Sequence, residues 1–294
     1  AGVEALAALG AVDFLMWVVT GISTGLTQGF SIQLSQYYGA KDFENLRKSL
    51  AHSYRLTAFI AAGVLILSQS FASLVLTGLH TPSNIIGMSL LYLRIIFCGI
   101  PATAAYNMFA SALRAMGNSK TPLTAMIIAS VLNVSLDILF VAGFGWGVAG
   151  AAIATVIAQS FSAVYCFLIL RRIDIVHLTR ADFMPASGMN ARLMKLGIPV
   201  VFQNIIIGVG GLVVQYVING YGFLFVAGFT ATNKLYGLLE MAAISYGYAI
   251  VTYVGQNLGA EKIDRIRKGV RSSMLLSLLT SLIISAAMFL FGKN

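Results

Sequence analysis

An aspartate inside an uncharged apolar run, with a carboxamide one helical turn before it, is a candidate cation holder. Asp137 follows Asn133 by four residues in the run VLNVSLDILFVAG. That spacing puts both side chains on one face of a helix. Thr155 lies beyond a short turn marked by Gly143-Phe144-Gly145, so an antiparallel hairpin returns its hydroxyl to a similar depth. At the rise of a helix, Asp137, Thr155 and Asn133 lie roughly 9, 12 and 15 Å below the outer helix ends. Carboxylate, hydroxyl and amide suit a hard cation such as Na⁺, or a proton. An ionisable group within a span is costly, which makes each one a functional candidate. Five further candidates for a substrate cavity or for coupling are Asp13, Arg94, Gln203, Lys234 and Glu240. The structural alternative is an ion pair of Arg94 with Asp137 or Asp13. Asn133 and Thr155 have one too, because amides and hydroxyls also fasten helices together.

The elements that must carry these groups are membrane spans. Hydrophobic residues make up 58% of the 294 residues and charged residues 10%, whereas a soluble domain is nearer a quarter charged. The net charge of +9 does not indicate nucleic acid, because the basic residues fall in short loops between apolar segments. Cys98 and Cys166 read as packing thiols, and His52, His80 and His177 show no metal-ligand spacing. No Asp-x-x-Asp pair, His-Glu motif or Gly-rich phosphate loop is present, so no catalytic residue, resident metal or cofactor is expected and the chain does not read as an enzyme. The expected fold is all-α and polytopic, with about eight helices near 5–38, 52–79, 87–112, 122–143, 147–170, 195–219, 224–257 and 271–291. Residues 1–170 read as an N-terminal lobe, 171–194 as a cytoplasmic linker lying along the membrane surface, and 195–294 as part of a second lobe.

Loop charges alternate. Fifteen of the 19 Lys and Arg residues follow the first, third, fifth and seventh helices, and the loops after the second, fourth and sixth carry none. The positive-inside rule places the four basic loops in the cytoplasm.

The chain also repeats itself at an offset of 220 residues. Gln36-Tyr37-Tyr38-Gly39-Ala40 matches Gln256-Asn257-Leu258-Gly259-Ala260, and Leu46-Arg47-Lys48 matches Ile266-Arg267-Lys268. Six helices lie within the offset. An even number preserves orientation, so the expected repeats are parallel and related by an axis along the membrane normal. The sixth helix has no partner before residue 1, and the third to fifth have none after residue 294. The chain therefore reads as helices two to nine of a twelve-helix, two-lobe protein.

Several stretches resemble the multidrug and toxic compound extrusion (MATE) family. They are Gln28-Gly29 with Ser35 to Ala40, Leu113-Arg114-Ala115-Met116-Gly117-Asn118 with Pro122, and Asn133 to Asp137. Others are Gly145 to Ala152 with Thr155, Leu196-Gly197-Ile198-Pro199 with Gln203, and Val254 to Ala260. The resemblance implies a cation-coupled (H⁺ or Na⁺) antiporter in the cell membrane. It would export drug-like or toxic organic molecules by alternating access, with no cofactor. The expected partners are that substrate and the lipid bilayer, and the expected state is a monomer. It also implies that Asp137, Asn133 and Thr155 belong to a cation site completed by an acid on the family's first helix. The alternatives are a lipid-linked or polysaccharide flippase of the same broad fold, or an inactive transporter fragment. A flippase usually wants a basic central cavity, and here only Arg94 and Lys234 are basic residues within the spans away from their ends.

Overall fold

The apolar runs form helices because in lipid each backbone N–H and C=O must be satisfied within its own segment. The computed structural model describes residues 12–78, 83–219, 237, 241 and 244–291. Its helices are α1 (Asp13–Gly39), α2 (Phe43–Gly78), α3 (Ser83–Cys98), α4 (Ile100–Ala115), α5 (Lys120–Asp137), α6 (Gly147–Arg171) and α7 (Met189–Asn219). Residues 244–259 form α8, and Ile263–Phe291 form α9. No strand occurs among the described residues. Among the described residues, five helices are long and apolar enough to cross a membrane, or six if the bent pair Ile85–Cys98 and Ile100–Ala115 counts as one span.

Several expected boundaries need correction. α2 and α9 begin at Phe43 and Ile263, a full two turns before the basic loops were expected to end. Their first turns carry Glu44 and Asp264, acids that favour a helix N-terminus. The helix expected over 87–112 is two helices meeting at 45°. Gly99 lies at the break, and Pro101 occupies the first turn of α4, where its missing N–H costs nothing. α7 begins at Met189, ahead of the expected start at 195, and Pro199 lies inside it. The segment expected as a linker holds two short 3₁₀ turns, Asp174–Val176 and Arg180–Phe183, and then the first turns of α7. The helix expected over 224–257 is described only from residue 244 onward, apart from residues 237 and 241.

The chain divides into two compact units, Ala1–Leu34 with Phe43–Gly208, and Ser35–Asp42 with Val209–Asn294. In the first unit α6 packs against α5, α4 and α3, and α2 packs against α4 and α3. Its apolar core includes Ala61, Leu76, Leu93, Phe97 and Ala104. α5 buries Ala125 and Ala129 and exposes Leu123, Ile127, Val131 and Val134. A helix with its small residues inside and its large apolar ones outside is suited to lipid.

α1 crosses α7 at backbone contact in the same unit. Gly21, Gly25 and Gly29 recur every four residues on α1 and face Asn204, Val201 and Gly197. A Cβ on Gly25 would come within 2.9 Å of the Val201 backbone, and one on Gly29 would overlap Gly197. The Asn204 Nδ2 donates to the Gly21 carbonyl at 3.0 Å.

In the second unit, the matched ends of the repeat adopt the same turn. Lys41 and Glu261 both have φ of 58°. Asp42 N donates to Tyr37 O at 3.0 Å and Lys262 N to Asn257 O at 2.8 Å; Lys41 N donates to Tyr38 O at 3.1 Å and Glu261 N to Leu258 O at 3.0 Å. These are the six-to-one and five-to-two bonds of a Schellman cap. A left-handed Lys or Glu costs roughly 1–2 kcal/mol. Glycine is used two residues earlier, where Gly39 and Gly259 meet Gln256 and Gln36 at backbone contact.

Candidate functional site

Asn133 and Asp137 lie one turn apart at the end of α5, between its buried and exposed faces, and both are half-buried. The Gly145-Trp146-Gly147 turn returns the chain as α6, with Gly145 and Gly147 at φ of 69° and 53°. This hairpin brings the Asn133 Nδ2 within 3.4 Å of the Thr155 Oγ1, to which it donates. The Thr155 hydroxyl itself donates to the Ala151 carbonyl at 3.0 Å. One oxygen of Asp137, Oδ1, is covered by the protein and has no hydrogen-bond partner. A buried carboxylate oxygen without a donor is destabilising until a cation, proton or water reaches it.

Among the described residues Asp137 has no ion-pair partner. Arg94 is exposed on α3, and the ion pairs among the described residues are Arg47–Asp182 and Lys48–Glu44. Gln203 is exposed on α7. α1 begins at Asp13, whose side chain lies outside the described residues. Lys234 and Glu240 lie outside them altogether. The structure therefore brings together Asn133 and Thr155 with Asp137 one turn beyond, and does not join Arg94 or Gln203 to them.

Two features near this site were not read from the sequence. A π turn, Ile138–Gly143, begins at the residue after Asp137, and π turns often mark functional positions. Phe140 in that turn packs against Gly150 of α6 and stacks on Phe144 and Trp146, closing the turn end of the hairpin. Gln159, one turn past Thr155 on α6, has a covered Oε1 without a partner. A polar residue one turn from Thr155 in an apolar span was the available signal. No group of three or more His, Cys, Asp or Glu side chains able to hold a metal occurs among the described residues.

Apolar helices of spanning length, two of them paired in a hairpin with polar groups facing each other, define a polytopic α-helical membrane protein. The MatE family profile matches residues 1–139 and 199–294, and the chain belongs to this family. It is 31% identical over 265 residues to the probable multidrug resistance protein YpnP of Bacillus subtilis, a match that covers 90% of this chain and 59% of that protein. It is 26% identical to the probable multidrug resistance protein YoeA of the same organism over 301 residues, covering 100% of this chain and 65% of that one. It superposes with a TM-score of 0.90 on a MATE family multidrug resistance transporter solved in an outward-facing conformation, at 21% identity, covering 99% of this chain and 65% of that one. The chain thus spans about two thirds or less of the length of these relatives.

Proposed function

We propose that the protein is a cation-coupled exporter of drug-like organic molecules, working by alternating access with its basic loops in the cytoplasm. Asp137, Asn133 and Thr155 would bind the coupling H⁺ or Na⁺. The observation that carries this reading is the partnerless oxygen of Asp137 beside the Asn133–Thr155 bond, with no cationic side chain paired to it among the described residues. Such an oxygen favours an arriving cation, and a proton and a metal ion would compete for it. Binding there can drive transport only if the two conformations differ in their affinity for the ion. The names of the Bacillus relatives support multidrug export as the activity.

The test uses the full-length protein in proteoliposomes loaded with a cationic dye, with H⁺ and Na⁺ gradients imposed separately. One gradient should drive dye movement. Asp137→Asn keeps the side chain's size, removes its charge and should abolish that movement while leaving the melting temperature within a few degrees. Undiminished gradient-driven transport by Asp137→Asn would refute the assignment.

A further inference from the structure

We propose that Gln159 is a further ligand of the cation site, and that its carboxamide oxygen makes the site one for a monovalent metal cation such as Na⁺ and not for a proton alone. The proposal rests on the reading of Asp137 as the coupling residue. It adds a residue and a choice of ion to that reading.

Among the described residues, the α5–α6 hairpin holds two covered side-chain oxygens without a hydrogen-bond partner, Asp137 Oδ1 and Gln159 Oε1. Two contacts set the register of the hairpin. Asn133 Nδ2 donates to Thr155 Oγ1 at 3.4 Å, and Ser162 Oγ donates to the Ala125 carbonyl at 3.5 Å. In that register Gln159 lies across from Ala129, which is 9% exposed and has no side-chain group to bond an amide. Asp137 lies one turn from Asn133 toward the hairpin turn, and Gln159 one turn from Thr155 away from it. The Asn133–Thr155 bond therefore falls between the two partnerless oxygens.

Helical side chains lean toward the N-terminus of their own helix. The two helices are antiparallel, so Asp137 leans back toward Asn133 and Gln159 leans back toward Thr155. Their backbones stand roughly 9 Å apart along the hairpin axis, and the leans shorten that gap from both ends. A hard cation holding oxygens at about 2.4 Å bridges about 5 Å between opposite ligands. The middle pair can join in. Asn133 spends its nitrogen on Thr155, which leaves its oxygen to accept, and the Thr155 oxygen keeps a second lone pair.

The donor set selects the ion. A carboxamide is not a titrating group, so a proton alone gains nothing from Gln159 Oε1, whereas a metal cation does. One carboxylate balances one positive charge. A divalent ion would leave a buried charge uncompensated, which is costly.

Thermal unfolding of the full-length protein in detergent reads ion binding apart from transport, because a ligand of the folded state raises the midpoint with its concentration. NaCl is exchanged against choline chloride at constant ionic strength. The wild-type midpoint should rise with Na⁺, and Asp137→Asn should lose the rise. Gln159→Leu should need about tenfold more Na⁺ for the same rise, the loss of one oxygen to a charged partner. Ser160→Ala is the control: its hydroxyl is already donated to the Val156 carbonyl at 2.7 Å, and the variant should respond as the wild type. If Gln159→Leu does not fold, Gln159→Glu keeps the oxygen, adds a second negative charge and should gain a response to Ca²⁺ that the wild type lacks. No rise with Na⁺ in the wild type, an undiminished response in Gln159→Leu, or no gain of Ca²⁺ response in Gln159→Glu would overturn the proposal. The two readings fail separately. A Na⁺ response lost in Asp137→Asn but intact in Gln159→Leu removes Gln159 alone, and H⁺-driven export without any Na⁺ response removes the choice of ion and leaves Asp137 in place. A Na⁺ response that survives Asp137→Asn removes both.

Discussion

Gly39 and Gly259 hold each other's helix ends at backbone contact. A Cβ on Gly39 would overlap the Gln256 carbonyl oxygen, and one on Gly259 would overlap that of Gln36. Residues 36 and 39 become 256 and 259 at the offset of the repeat. The contact is therefore reciprocal, the pattern that a two-fold axis between two equivalent helix ends generates. Gly39→Val and Gly259→Val should each destabilise the protein by about 1–3 kcal/mol through overpacking. Gly63→Ala, at a position with open space around it, should be neutral or slightly stabilising, since glycine is a poor helix former. Thermal unfolding in detergent checks both. The double valine variant should cost less than the sum of the singles, because one contact is broken twice.

The crossing of α1 and α7 makes a parallel prediction. Gly29→Ala forces the two backbones apart at Gly197 and should lower stability by about 1–3 kcal/mol. Gly210→Ala, on the same helix as Gly197 but with nothing near its missing Cβ, should change stability by no more than about 0.5 kcal/mol. Equal losses from the two variants would mean that the close approach at Gly29 is not what fastens the helices.

Asn133 and Thr155 should behave as one unit. Thr155→Val keeps the shape and removes the oxygen that accepts from Asn133. Each of Asn133→Ala and Thr155→Val should cost less than about 1.5 kcal/mol of stability, the usual worth of a hydrogen bond between membrane helices. If both groups serve the cation, each should weaken ion dependence of transport several-fold, and the double variant should do no worse than the more damaging single. Fully additive losses would separate the two residues.

Orientation can be read with thiols. Lys41 and Lys262 are exposed at the two matched turns. After Cys98, which is exposed, and the buried Cys166 are replaced, single cysteines at 41 and 262 should resist an impermeant thiol reagent in intact cells. They should react once the cells are opened, which is the outcome the positive-inside rule predicts for these basic loops. Labelling from outside at either position would reverse the topology.

The amino-acid sequence by itself determined the class, the repeat and where most of the apolar helices lie, though not their ends. Each rests on a property summed over many residues: runs without charge, basic loops in alternation, and a matching Gln-x-x-Gly-Ala at each end of the offset. It also singled out Asp137 with Asn133 and Thr155, because helical spacing and one short hairpin turn suffice to relate them. Loop charge marked where the chain leaves the apolar region, yet α2 and α9 run on through that polar stretch as helix, since backbone bonding does not require apolar side chains.

Only the tertiary structure decided the rest, and the reason is distance along the chain or local strain without a sequence period. The π turn after Asp137 depends on how Phe140 seats against Gly150 of the next helix. The bend at Gly99 had a visible proline nearby, but neither its 45° nor the seating of Gly99 against Val156 of α6 has a mark in the sequence. His52 carried no ligand spacing at all, because its partners Met184 and Asn190 stand 132 and 138 residues away, and folding alone sets an imidazole between them.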